Sequence, residues 1–517
     1  MSTDAAAPLA PPNGGIVYLV GAGPGDAALI TLRGVECLAR ADLVLYDYLV
    51  NPLILRHARS RTERLCLGRH GAGKLMAQDE INQRMIDAAR AGKTVVRLKG
   101  GDPCVFARAG EEIEALRAAD VVFEIVPGIT AALAAASYAG IPLTHRDLAS
   151  AVALVTGMEG ESKTTPTLDF AALAAFPGTL VFYMGITTAA EWTTALIEHG
   201  KPRQTPAAIV RRGSWPNQST IRCRLETVAE TIREQRLRPP AIVIVGPVAG
   251  LDTASDWARR RPLLGRRILV TRAADQAAAL SDPLRELGAE VLEQPAIEIH
   301  PPEDWAPLDR AIDELERFDW LVFSSTNAVR GFVERLWARG GDSRRLGRAR
   351  LAAIGPGTAA ELEQYHLRTD VEPAIYRAEA LAARLAPEAA GSRFLLIRAN
   401  RGREVLAAAL RAAGGDVVEA VAYESRDVTQ ADPDVLAALE RREIDVVTVT
   451  SSAIARSLVA LVGAHLRGAR LASLSPITSA TLVELGYPPA IEAAEYTMPG
   501  LVAAIVADLR DGDERTG

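Results

Sequence analysis

Lysine is scarce in this chain of 517 residues, and its positive charge comes almost wholly from arginine. Of 58 basic residues only five are lysines, and the last of them is Lys201. The formal net charge of −6 argues against a protein that coats nucleic acid. The arginine bias can reflect genomic base composition alone, but it also suits polyanionic ligands, because a guanidinium binds a carboxylate through two parallel hydrogen bonds.

Cysteine is also rare. The chain has four cysteines, none in a C-x-x-C pair and none beyond Cys223. This pattern predicts no disulfide framework and no metal site, and it fits a reducing, cytoplasmic compartment.

Long apolar runs are absent as well. A long run without a charged residue, 126–144, contains two prolines and two internal glycines, which predicts a buried helix with turns and no membrane span. The first residues lack the charged-then-apolar order of a signal peptide. We therefore expect residues 1–14 to be a flexible tail.

The remainder alternates short β-branched runs with Ala- and Leu-rich helical stretches, which predicts α/β layering with a mainly parallel sheet. A charged, aperiodic stretch at 251–261 is typical of a linker between domains. We therefore expect one domain at 15–250, a second at 262–510 and a short tail at 511–517. The predicted strands are 16–20, 43–46, 94–98, 123–126, 151–156, 179–183, 207–210, 241–245, 267–272, 320–323, 351–354, 394–397, 446–450 and 471–474.

The second half repeats itself weakly. DWLVFSST (319–326) matches DVVTVTSS (445–452), and AAIGPGT (352–358) matches ASLSPIT (472–478). Each copy predicts a strand, a Ser/Thr turn, a helix and a second strand. The repeat therefore predicts two similar lobes, with helix N-termini that can hold anions.

Three turns rich in small residues follow strands of the first half: GAGPGD (21–26), GGDP (100–103) and VPGITA (126–131). A dinucleotide fingerprint would need glycine at position 26, where this chain has Asp26. One such turn can be a tight connection without a ligand. Three at successive strand ends predict a crevice in which backbone groups touch the ligand.

Residues 15 to about 250 resemble the tetrapyrrole methylase family of S-adenosylmethionine-dependent enzymes, and within it the uroporphyrinogen-III C-methyltransferases. The matching stretches are VGAGPGD (20–26), ADLVLYD (41–47), VRLKGGDP (96–103), VPGIT (126–130) and AGIPLTHR (139–146). The resemblance implies two α/β lobes with the cofactor S-adenosylmethionine between them, and a homodimer formed through this domain.

The resemblance also implies roles for single residues. Asp47 matches the family's proposed proton acceptor, and a carboxylate at a strand end can take the proton that methylation of a ring carbon releases. The alternative is that Asp47 caps a helix. The positions that match the cofactor site are Pro24, Gly100, Gly101, Asp102, Val105, Thr130, Ala131, Met184 and Gly213.

One position departs from the family pattern. In LGRHGAGK (67–74), Arg69 stands where the family has the lysine proposed as proton donor. A guanidinium does not release a proton near neutral pH. Either Arg69 binds a substrate carboxylate only, or His70 or Lys74 takes the proton role; His70 can equally be an exposed loop residue.

Residues 262 to about 510 resemble the uroporphyrinogen-III synthase family, with Ser475 in place of the usual glycine. The matching pieces are ILVTR (268–272), FSSTNA (323–328), AIGPGT (353–358), RANRGRE (398–404), VAY (421–423) and SPIT (475–478). The resemblance implies a bilobed α/β domain whose second lobe spans about 302–422, joined to the first by two strands, and a reaction that needs no cofactor.

In this family hydroxymethylbilane loses water and closes with ring D inverted, which is mainly a matter of holding the chain in place. Tyr423 matches the tyrosine thought to assist departure of the hydroxyl, and core packing is its alternative. Thr271, Ser325, Thr326 and Thr478 are candidate substrate-binding residues, or plain helix caps.

The two resemblances predict one tetrapyrrole biosynthesis enzyme with two activities. The second half would form uroporphyrinogen III, and the first would methylate it at C-2 and C-7 to give precorrin-2. The alternatives are a methylase for a later corrin intermediate and a non-catalytic bilobed binding module. A nicotinamide-dependent dehydrogenase is disfavoured, since about 14 residues precede the first predicted strand.

Overall fold

The computed structural model describes residues 14–68, 76–159, 168–251, 257–402 and 404–514. Arg69, His70 and Lys74 therefore lie outside the described residues. The chain divides into two compact units, 1–265 and 266–517. Each unit contains two α/β lobes, as the fold class expected from the sequence requires.

The first lobe of the first unit is a parallel sheet. Its strands are β1 (Ile16–Gly21), β2 (Leu43–Tyr46), β3 (Glu63–Cys66), β4 (Thr94–Lys99) and β5 (Val122–Val126), and its helices are α1 (Leu32–Arg40), α2 (Gln78–Arg90), α3 (Ala109–Ala118) and α4 (Ala131–Tyr138). The strand order is β3-β2-β4-β1-β5. The internal strand β1 is buried on both faces, which explains its continuous apolar sequence.

The second lobe of this unit is a mixed sheet. Its strands are β6 (Val152–Thr156), β7 (Thr179–Tyr183), β8 (Pro206–Arg211), β9 (Ser219–Arg224) and β10 (Ala241–Val245), and its helices are α5 (Phe170–Ala175), α6 (Ala189–Glu198) and α7 (Val228–Glu234). The order is β6-β7-β10-β8-β9, in which β6 and β7 run parallel and the other pairs antiparallel. Phe182 stacks on Trp192 in its core, with ring centroids 4.0 Å apart.

The predicted linker at 251–261 differs from the structure at its C-terminal end. The Trp257 ring lies 4.9 Å from that of Tyr138, and its Nε1 donates to the Ser137 carbonyl at 3.0 Å. Leu263 is fully buried, and the Gly265 amide donates to the Pro216 carbonyl at 3.1 Å. Residues 257–265 thus pack on the first unit, because this charged stretch also carries the aromatic and aliphatic side chains that anchor it.

The second unit has ten strands and ten α-helices among its described residues. The strands are β11 (Arg267–Val270), β12 (Glu290–Glu293), β13 (Ile297–His300), β14 (Trp320–Phe323), β15 (Arg350–Ala353), β16 (Arg393–Ala399), β17 (Asp416–Asp427), β18 (Val446–Val449), β19 (Arg470–Ser473) and β20 (Ile491–Glu492). The helices are α8 (Ala278–Glu286), α9 (Ala306–Asp313), α10 (Thr326–Ala338), α11 (Pro356–Gln364), α12 (Ala378–Leu385), α13 (Val405–Ala412), α14 (Pro433–Glu440), α15 (Ser452–Val462), α16 (Pro476–Glu484) and α17 (Met498–Glu514).

The long strand β17 connects the two lobes of this unit. Its first part pairs with β16 in the sheet β13-β17-β16-β14-β15, and its last four residues pair antiparallel with β13. The other sheet, β12-β11-β18-β19-β20, is wholly parallel. The chain therefore leaves the first lobe along β13, builds the second lobe and returns along β17.

The sequence repeat corresponds to equivalent places in the two sheets. Asp319 and Asp445 each precede a strand, and each carboxylate accepts a backbone hydrogen bond from an arginine of the neighbouring strand, at 2.9 Å and 2.7 Å respectively. Ser325 and Ser451 each cap the following helix, with Oγ accepting from a backbone amide at 3.2 Å. Both lobes thus use the same strand–cap–helix unit.

Candidate functional site

The three small-residue turns of the first unit meet at the carboxyl edge of the parallel sheet. Gly23 and Gly101 exchange two backbone hydrogen bonds, of 3.1 Å and 2.8 Å. A Cβ atom on Gly128 would lie 2.3 Å from the Gly101 carbonyl oxygen and 2.7 Å from the Gly21 Cα. Only glycine allows this approach, so the turns form one surface of backbone groups.

Asp102 holds two of these turns together. Its Oδ2 accepts from the Gly128 amide at 2.9 Å, and its Oδ1 accepts from the Cys104 amide at 2.8 Å. Val105 follows at the start of the next segment and packs on the core that α4 shares with the second lobe. The carboxylate of Asp102 thus shapes the site through hydrogen bonds to two backbone amides.

The second lobe closes on this edge through Tyr183, which sequence reasoning did not identify. Its hydroxyl lies 2.7 Å from Thr130 Oγ1 and accepts from the Ala132 amide at 2.9 Å. Burial raises the pKa of Tyr183, which keeps the phenol neutral. Met184, the next residue, is 47% exposed and has a φ of 52°. Ala131, which follows Thr130 in sequence, is the first residue of α4.

A second contact between the lobes involves Gly213 and the two residues that follow Pro24, Gly25 and Asp26. A Cβ atom on Gly213 would lie 2.9 Å from the Ala135 Cα, and one on Gly25 would lie 2.2 Å from Trp215 Nε1. The Asp26 amide donates to Ser214 Oγ at 3.1 Å. Turns of the first lobe that carry expected cofactor residues therefore contact the second lobe near Gly213.

Asp47 lies at the end of β2, beside β4 just before Gly100. Its backbone amide donates to the Leu98 carbonyl at 3.2 Å. Its Oδ1 accepts from the Arg97 guanidinium at 2.6 Å, and 31% of its side chain is exposed. The carboxylate therefore does not cap a helix, the alternative role considered from the sequence. Arg97 instead fixes its orientation at the rim of the crevice.

Arg97 belongs to a buried network of charges. Glu112, fully buried on α3, accepts from Arg97 Nε at 3.0 Å and from Lys99 Nζ at 2.8 Å and 2.9 Å. Burial and the neighbouring Arg97 lower the pKa of Lys99. The sequence indicates this network through Arg97 and Lys99, two cations at alternate positions of the otherwise apolar strand β4. Such cations require a buried acid on the helix that packs against the strand.

In the second unit, Tyr423 lies where β17 changes register against β16, between the pairs Arg398–Val421 and Ala399–Tyr423. The bulge redirects the side chain. Ser325 Oγ donates to the Tyr423 hydroxyl at 3.1 Å. Burial raises the pKa of Tyr423, so its phenol stays protonated.

The structure does not bring all the predicted substrate-binding hydroxyls to an open surface. Thr271 is fully buried, and its hydroxyl donates to the Thr448 carbonyl at 2.6 Å, where it joins β11 to β18. Thr478 is 2% exposed, and its Oγ1 lies 3.2 Å from Ser475 Oγ. The hydroxyls of these two residues are used within the fold, and their role in substrate binding stays a prediction. Ser325 and Thr326 remain partly exposed at the start of α10.

The described residue ranges lack two kinds of feature. They contain no group of three or more His, Cys, Asp or Glu side chains arranged to hold a metal ion. Nor do they contain a helix that is long and apolar enough to span a membrane.

Comparison with known proteins matches each half to a different family. Residues 16–229 match the Tetrapyrrole (Corrin/Porphyrin) Methylases, and residues 278–503 match Uroporphyrinogen-III synthase HemD. A uroporphyrin-III C-methyltransferase of Thermus thermophilus, solved in complex with S-adenyl homocysteine, is 40% identical; the match covers 45% of this chain and 93% of that one, with a TM-score of 0.39.

Two relatives match over more of the chain. The uroporphyrinogen-III C-methyltransferase of Bacillus subtilis is 38% identical over 69% of this chain and 74% of its own length. The porphyrin biosynthesis protein HemD of Ruminiclostridium josui is 34% identical over 95% of both chains. Because that similarity runs through both units, the chain belongs to the family of porphyrin biosynthesis proteins that join a tetrapyrrole methylase to a uroporphyrinogen-III synthase.

Proposed function

We propose that this chain catalyses two consecutive reactions. The second unit cyclises hydroxymethylbilane to uroporphyrinogen III, and the first unit methylates that product at C-2 and C-7 with S-adenosylmethionine to give precorrin-2. The observation that carries the proposal is the meeting of three glycine turns beside Asp47 in a chain whose other unit belongs to the synthase family.

The crevice of the first unit fits S-adenosylmethionine, which would supply the electrophilic methyl group. A Cβ atom on Gly101 would approach no atom closer than 3.7 Å, and one on Gly100 none closer than 3.5 Å. A side chain at either position would thus meet its neighbours at ordinary contact distance, and both glycines are partly exposed, so a ligand can reach their main chain. The residues that would hold the cofactor are Pro24, Gly100, Gly101, Asp102, Val105, Thr130, Ala131, Met184 and Gly213.

Asp47 would accept the proton released when a ring carbon is methylated. Arg97 uses Oδ1 of the carboxylate. The other oxygen, Oδ2, is then the atom proposed to take the proton from substrate. A fixed carboxylate at the rim requires no reorganisation when the substrate binds.

Replacing Asp47 by Asn tests this role. The change keeps the shape and removes the base, so kcat should fall by about 10²–10⁴-fold while affinity for S-adenosylmethionine stays nearly unchanged. Asp87→Asn, on the outer part of α2, is the matched control and should keep wild-type kcat. A normal kcat for Asp47→Asn would remove Asp47 from the mechanism.

In the second unit, Tyr423 would protonate the departing hydroxyl of hydroxymethylbilane. Its phenol is protonated at neutral pH, and Ser325, by donating to the phenol oxygen, leaves the phenolic proton directed elsewhere. The remaining catalytic task is to hold the linear substrate so that ring D closes inverted.

Tyr423→Phe tests this assignment, with hydroxymethylbilane as substrate and S-adenosylmethionine omitted. We expect the variant to form uroporphyrinogen III more slowly while retaining substrate affinity. If Tyr423→Phe forms the inverted isomer at the wild-type rate, Tyr423 is a packing residue.

A further inference from the structure

One arginine at the junction of the two lobes of the second unit has an unusual set of neighbours. Arg272 follows β11 at the carboxyl edge of its sheet. Its guanidinium lies 2.8 Å from the sulfur of Met498 and donates to Gln276 Oε1 at 3.1 Å. Gln276 Nε2 in turn donates to Asn327 Oδ1 at 2.5 Å, on α10 of the second lobe.

Arg272 differs from nearby arginines in having no carboxylate within ion-pair distance among the described residues. Arg330 forms two bonds to Glu361, of 2.7 Å and 3.0 Å. Asp275 lies 4.0 Å from Arg330 and acts on Arg272 only at longer range. Burial lowers the pKa of Arg272, as expected for a cation held by two neutral groups.

A partly buried guanidinium without a carboxylate partner is costly, and an anionic ligand would compensate it. Met498 and Gln276 are neutral and hold the guanidinium weakly, so a carboxylate can displace them. The neighbouring Thr271 has a fully buried side chain, which leaves Arg272 as the residue of this turn that can reach a ligand.

We propose that Arg272 binds one carboxylate side chain of the linear tetrapyrrole in the synthase unit. The assignment rests on the proposed function of this unit and adds a subsite to it. A guanidinium presents two parallel donors to a carboxylate, and it retains its charge throughout the physiological pH range. A carboxylate bound to Arg272 would also lie next to the hydrogen bond between Gln276 and Asn327 that joins the lobes.

The test uses the full chain with hydroxymethylbilane and no S-adenosylmethionine. For Arg272→Gln we expect KM to rise about tenfold or more, because a charge-assisted hydrogen bond is lost, with a smaller change in kcat. Arg272→Lys should give an intermediate KM. The KM of the wild type should also rise more steeply with salt than that of Arg272→Gln.

Arg267→Gln is the matched control, since Arg267 lies at the opposite end of the same strand and is paired with Glu290 and Glu443. Its KM should stay at the wild-type value. An unchanged KM for Arg272→Gln, or an equal rise in both variants, would overturn the proposal.

Two further outcomes are distinguishable. If Arg272→Gln does not fold, the KM and salt dependence of Arg272→Lys decide, and wild-type values for both reject the subsite. If the wild-type chain forms no uroporphyrinogen III, the proposed function itself fails and the subsite fails with it.

Discussion

Glu112 is the residue whose neutralisation should most disturb the first unit. It is fully buried and accepts hydrogen bonds from both Arg97 and Lys99. Glu112→Gln keeps the size of the side chain but leaves these two cations without their buried acid. Breaking a buried ion pair from one side costs about 3–5 kcal/mol.

Glu111→Gln is the control, because Glu111 is the preceding residue of α3 and pairs with Arg108 at the surface. That pair is 2.6 Å long, but its two side chains are 61% and 51% exposed. Removing it should change the free energy of unfolding by no more than about 0.5 kcal/mol.

Hydrogen exchange followed by mass spectrometry measures both variants in the full chain. At tenfold per 1.4 kcal/mol, amides of β1 and β4 that open by unfolding of the first unit should exchange roughly 10²–10⁴-fold faster in Glu112→Gln. Peptides from β14 in the second unit serve as an internal reference and should not change.

A double variant sharpens the test. Lys99→Met combined with Glu112→Gln removes the cation whose ion pair, among the described residues, is with Glu112, so part of the lost stability should return. The reasoning is refuted if Glu112→Gln exchanges like Glu111→Gln, or if the double variant is less stable than the sum of its single changes.

Three further predictions concern reactivity, pH and the division of the chain. Cys104 is exposed within the proposed cofactor turn, whereas burial raises the pKa of the Cys37 thiol to about 11. Iodoacetamide should therefore label Cys104 before Cys37, and S-adenosylmethionine should slow the labelling of Cys104. If cofactor gives no protection, the turn does not bind it. Burial and Asp26 raise the pKa of Tyr138 from 10.0 to about 12. The unfolded chain therefore loses this proton first as the pH rises, and the free energy of unfolding should fall between pH 10 and about pH 12. Tyr138→Phe should flatten this part of the plot of unfolding free energy against pH, and an unchanged slope would contradict the assignment. A fragment ending at residue 265 should unfold at a higher temperature than one ending at 255, which lacks Trp257 and the buried Leu263; equal melting temperatures would argue against the packed segment.

Much of the fold could be predicted because buried strands carry continuous apolar runs. The predicted strands at 43–46, 179–183, 241–245 and 320–323 have the observed bounds. The pattern missed β3, β9, β12, β13 and β20, which lie at sheet edges, and also β17, which lies between β13 and β16. Edge strands are half solvated and tolerate charged residues, so sequences such as Glu63–Cys66 have no apolar signature.

The candidate site was predictable where the backbone itself forms it. Glycine-rich turns indicate that two backbone segments approach each other closely, and the structure brings the glycine turns of the first unit together. Thr271 could not be judged from sequence, because its burial depends on β18, which lies far along the chain. Asp47 and Glu112, the partners of Arg97, lie on separate elements, so the two cations of β4 predict a buried acid but not which residue supplies it.

We propose that one chain cyclises a linear tetrapyrrole and then methylates the product. The most direct measurement incubates the purified full chain with hydroxymethylbilane, with and without S-adenosylmethionine, and identifies the tetrapyrrole by mass and isomer analysis. We expect uroporphyrinogen III without the cofactor, and with it a product heavier by two methyl groups. An unmethylated product in the presence of the cofactor, or only the isomer in which ring D is not inverted, would contradict it.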